Sequence, residues 1–99
     1  MSEEEQQAPR HLLIVEDDAA FARTLKRSFE RRGYTVDLAT SLAEMQVVLQ
    51  GGTPGFAVVD LKLGGEASGL ACVQQLHAAD EEMLIVVLTG FASIATAVE

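Results

Sequence analysis

Hydrophobic residues along the chain alternate between two kinds of segment. Three short apolar runs, His11–Val15, Phe56–Val59 and Met83–Leu88, carry no period-two alternation. That is the pattern of β-strands covered on both faces. Tyr34–Ala39 adds a further strand. Between them lie segments with helical spacing. From about Asp18 to Arg32, Phe21, Leu25 and Phe29 recur every four residues with Ala22 beside them, and Arg23, Lys26, Arg27, Arg31 and Arg32 lie elsewhere. Gly33 stands where a left-handed helix stop is expected. Ser41 and Glu44 match a capping box that opens a helix over Leu42, Met45, Val48 and Leu49, and the Gly51–Gly55 stretch breaks it. Leu61–Ser68 reads as a glycine-bearing loop. Gly69–Ala79 reads as a helix with Leu70, Val73 and Leu76 inward, and Ala92–Glu99 begins another.

The order is βα repeated four times. Short buried strands alternating with amphipathic helices predict an α/β fold, a doubly wound parallel sheet with helices on both faces. In such sheets ligands sit beyond the carboxyl ends of the strands, where strand order reverses. Met1–Arg10 lacks periodicity and reads as a disordered arm, so the folded domain is expected over 11–99.

Composition narrows the function. Apolar residues make up 48% and charged residues 22% of the chain, a globular balance. Seven basic residues against fifteen acidic ones give a net charge of −8. Such a field repels nucleic-acid phosphates and anionic lipid, which argues against direct nucleic-acid binding. No apolar run approaches the roughly 20 residues of a membrane helix, and the acidic N-terminus is unlike a signal peptide. A single cysteine, Cys72, excludes an internal disulfide. These features point to a cytoplasmic protein.

The strand ends carry the chemistry. Strand one stops at Glu16-Asp17, strand three at Asp60 and strand four at Thr89-Gly90. If those strands are neighbours, three carboxylates converge and resist ionising together. A divalent cation relieves them, and hard oxygen ligands without histidine or thiolate favour Mg²⁺ over zinc. A carboxylate beside that ion can attack phosphorus. Asp60, alone after its strand, is the expected nucleophile; Glu16 and Asp17 form the metal clamp; Thr89 supplies a hydroxyl donor to the phosphoryl oxygens. Asp18 reads as a helix N-cap.

With these residues in view, the chain resembles a receiver domain of a two-component response regulator. The resemblance is carried by LLIVEDD (Leu12–Asp18), AVVDLKL (Ala57–Leu63), SGL (Ser68–Leu70) and VVLTG (Val86–Gly90), and within the family it is strongest to the RegA/PrrA/ActR-type redox-responsive regulators. It implies a flavodoxin-like, CheY-like sheet, here incomplete: four of five βα units, with the last helix cut short. It also implies Asp60 as phosphoacceptor, Thr89 as switch hydroxyl, and Mg²⁺ bound by Glu16, Asp17, Asp60 and the Lys62 backbone carbonyl. The phosphoryl donor is then a sensor histidine kinase docking beside the first helix, and the output is a DNA-binding domain outside this chain. Glu16 stands where aspartate is commoner in the family, and Gly64 where proline is frequent.

Without a fifth strand one edge of strand four is open, which predicts a homodimer or a swapped oligomer through strand four and the last helix. His11 and His77 read as surface or strand-edge residues and Cys72 as a buried side chain. Rival functions are a pseudo-receiver used for binding or dimerisation, a Mg²⁺-dependent aspartyl-nucleophile phosphatase, and a flavodoxin-like electron carrier. Lys62 stands where the phosphatase needs a second aspartate, and the acids after strand one would repel a flavin phosphate. The leading reading is a signalling module, not an enzyme.

Overall fold

Five strands pair into one sheet in the order β2-β1-β3-β4-β5. The computed structural model describes residues 10–60, 66–88 and 95–98, with 66–68 and 95–98 by backbone alone. The elements are β1 (Arg10–Val15), α1 (Ala19–Glu30), β2 (Tyr34–Ala39), α2 (Leu42–Gln50), β3 (Phe56–Asp60), α3 (Glu66–Ala79), β4 (Leu84–Leu88) and β5 (Ala95–Val98). β1 to β4 run parallel, with Leu12 opposite both Val36 and Phe56 and Asp60 opposite Leu88.

Strand pleating sends alternate residues to opposite faces, and two cores result. On one face Leu13, Val15, Ala57, Val59, Ile85 and Val87 meet Met45 of α2 and Cys72 and Leu76 of α3. On the other, Leu12, Ile14, Val36 and Val58 are met by Leu25 and Phe29 of α1. Phe29, Tyr34 and Phe56 stack edge to face, with centroids 5.4 and 5.6 Å apart. They wall an apolar cavity of about 220 Å³ that also touches Leu84 and Val86.

Local signals fix the helix ends. Asp18 caps α1 and Ser41 caps α2, each side chain accepting a backbone N–H one turn ahead. Glu44 turns back to accept from the N–H and hydroxyl of Thr40, one residue before the cap. Gly33 follows α1 at φ +92°, the region glycine enters without strain.

Four expectations need correction. The first strand begins at Arg10, which therefore does not belong to the N-terminal arm; residues 1–9 lie outside the described part. Phe21 is 43% exposed. Steps of four drift about 40° around a helix, so the buried stripe runs through Ala22, Leu25 and Phe29 and leaves Phe21 beside it. α3 starts three residues early, at Glu66, and its buried stripe is Cys72 and Leu76 with Val73 half-buried. Leu70, on the opposite side of that helix, is 55% exposed. Last, where a helix was expected from Ala92, Ala95–Val98 is a strand antiparallel to β4, with Ile85 opposite Val98. The backbone groups on that side of β4 are thereby paired, so the open edge expected at strand four is taken by the chain's own segment.

Candidate functional site

β1 and β3 are neighbours, so their carboxyl ends lie side by side. Glu16 and Asp17 directly follow β1, and Asp60 is the last residue of β3. Oxygens of Glu16, Asp17 and Asp60 all lie within 4.8 Å of one another. The convergence expected from the strand ends is therefore present for these three. Lys62 and Thr89 lie outside the described residues.

Glu16 is the buried member, 3% exposed; Asp17 is exposed and Asp60 intermediate. The Glu16 N–H donates to the carbonyl of Ala39 at 2.9 Å, tying the residue to the end of β2. Its Oε2 accepts from the Asp18 N–H at 3.1 Å. Its Oε1 is buried with no hydrogen-bond partner among the described residues. Burial, followed by the contact with Asp60, pushes the Glu16 carboxyl up to about 7. A buried acceptor without a donor and a carboxylate held back from ionising are both relieved by a cation. Three hard oxygens, one exposed, suit an ion of the Mg²⁺ type that keeps several waters. No other group of three metal-ligating side chains occurs among the described residues.

Asp18 stands apart from the trio. Its Oδ1 accepts from the Phe21 N–H at 3.0 Å, the N-cap role its position suggested. Cys72 is fully buried on α3, and burial pushes its thiol up. His11 pairs with Asp37 across β1 and β2, at 2.5 Å and half-exposed. The residue pattern carries no sign of that partnership, because the register of two parallel strands has to be known first. No helix among the described residues is long and apolar enough to cross a membrane.

A sheet ending in an acidic trio at the junction of β1 and β3 defines a class, and known proteins share it. Residues 12–99 match the response regulator receiver domain family, and the chain belongs to it. It is 43% identical over 91 residues to the photosynthetic apparatus regulatory protein RegA of Cereibacter sphaeroides, covering 92% of this chain and 49% of that protein. It is also 43% identical over 89 residues to the acid tolerance regulatory protein ActR of Sinorhizobium medicae, covering 90% and 45%. The chain thus spans about half the length of the curated relatives it matches. Among solved structures, a response regulator from Burkholderia pseudomallei with a phosphorylated aspartic acid, a calcium ion and citrate superposes with a TM-score of 0.76 at 39% identity. That match covers 86% of this chain and 49% of that one. A CheY-like receiver domain from Methanospirillum hungatei gives 0.77 at 28% identity, covering 88% and 69%.

Proposed function

We propose that this receiver domain, residues 10–99 of the chain, is a phosphoacceptor: Asp60 takes a phosphoryl group from a phosphohistidine of a sensor histidine kinase. The observation that carries the reading is the meeting of Glu16, Asp17 and Asp60 within 4.8 Å around a buried, unsatisfied oxygen. An Asp60 carboxylate oxygen attacks phosphorus in line; the P–N bond breaks and its electron pair returns to the imidazole nitrogen. Glu16, Asp17 and Asp60, with the Lys62 backbone carbonyl, would hold Mg²⁺, and the ion would supply positive charge to the phosphoryl oxygens. Thr89 donates its hydroxyl to one of those oxygens and reports the new state. The chain changes a surface and turns over no substrate of its own. Its work is cytoplasmic, upstream of a DNA-binding output domain, a reading in keeping with relatives named as regulatory proteins and about twice the length matched here.

Treatment with acetyl phosphate and Mg²⁺, followed by intact-mass spectrometry, tests this. The wild type gains one phosphoryl group and Asp60→Asn gains none; labelling that persists in Asp60→Asn overturns the assignment. The partner at the sheet edge is a second copy of the chain, meeting it where β5 presents its outer backbone groups. A concentration-independent monomer mass by light scattering overturns that part alone.

A further inference from the structure

Asp17 is the most exposed of the three acids, yet the residues on either side of it are held by backbone hydrogen bonds. On its N-terminal side Glu16 donates its N–H to Ala39 at 2.9 Å. On its C-terminal side the Asp18 N–H donates to Glu16 Oε2 at 3.1 Å. Asp18 then accepts twice from α1: at Oδ1 from the Phe21 N–H at 3.0 Å, and at its carbonyl from the Ala22 N–H at 2.9 Å.

Packing does little for this turn. Ala19, Ala20 and Phe21 are all exposed, and Ala22 is the first buried residue of α1. A helix start without packing depends on its cap to satisfy the orphan donors. We infer that Asp18, outside the acidic trio, is a positioning residue for Asp17: by capping α1 it holds the backbone that presents the Asp17 carboxylate to Glu16 and Asp60. This rests on the Mg²⁺ reading of the trio. Linkage makes the relation reciprocal: a cation holding Asp17 also orders the first turn of α1.

The test is a Mg²⁺ titration of the whole chain followed by amide NMR, in wild type, Asp18→Ala, Asp18→Asn and Asp18→Ser. All three variants lose the same charge, but Asn and Ser keep an oxygen that can cap. We expect Asp18→Ala to bind Mg²⁺ roughly three- to tenfold more weakly than Asp18→Asn, with Asp18→Ser tracking Asn. Bound Mg²⁺ should also slow exchange of the Phe21 amide in the cap-competent proteins. Equal Mg²⁺ affinity across the Ala, Asn and Ser variants overturns the inference, even if Asp18→Ala melts lower, because a merely structural cap would move stability alone. A wild type that shows no saturable Mg²⁺ binding overturns the metal reading itself, and the positioning role with it.

Discussion

At the scale of single residues, Glu16 sets the acid-base behaviour of the site. Its carboxyl stays protonated up to about pH 7 in the folded chain, against an ordinary value of 4.5. Between those values the folded state binds more protons than the unfolded one, so stability falls as pH rises through that window. In the absence of divalent metal, thermal melts of the wild type should drop relative to Glu16→Gln between about pH 4.5 and 7, by on the order of 2 kcal/mol. Added Mg²⁺ should recover the loss at pH 7.5 by displacing the need for that proton. A wild type that parallels Glu16→Gln across the window would contradict the burial argument. Cys72 offers a second check. A fully buried thiol pushed up by burial should ignore a disulfide exchange reagent in the native protein and react with it in denaturant. Glu16, Asp17 and Asp60 were legible because a carboxylate directly after a buried strand needs no tertiary knowledge to place. The His11–Asp37 pair was not, since it lies across two strands whose residues are 26 positions apart.

At the scale of elements, caps and buried stripes decide which changes matter. Ser41→Ala removes the acceptor for the Glu44 N–H at 3.1 Å and should cost about 1 kcal/mol of unfolding free energy in urea melts. On α3, Leu76 is fully buried and Leu70 is 55% exposed. Leu76→Ala should therefore cost about 2–5 kcal/mol, and Leu70→Ser less than about 0.5 kcal/mol; equal losses would mean that the helix is rotated from the arrangement described. The sequence pattern found the four parallel strands to within a residue, because three of them are unbroken apolar runs. It misjudged the phase of α3, where small and apolar residues occur nearly all round and give periodicity little contrast. Four-residue spacing likewise drew Phe21 into the core, although the drift of a helix carries that position to the rim.

At the scale of the molecule, the described helices divide unequally between the two faces of the sheet. α2 and α3 close one face, and α1 lies over part of the other. The parallel order of β1 to β4 was readable from the βα alternation, since parallel neighbours require crossovers. The antiparallel return of β5 was not: its residues, ATAV, suit a helix or a strand by propensity, and the unpaired edge of β4 is what favours the strand. Removing residues 95–99 should free that edge, and dynamic light scattering should then show assemblies larger than a dimer at concentrations where the intact chain stops at the dimer. The α1 face of the sheet has one more property. Tyr34, stacked between Phe29 and Phe56 on the wall of the apolar cavity, is the chain's single tyrosine, and the chain has no tryptophan. Ultraviolet emission from the whole protein therefore originates almost entirely from one ring, and any molecule settling against that wall announces itself as a change in colourless, label-free fluorescence.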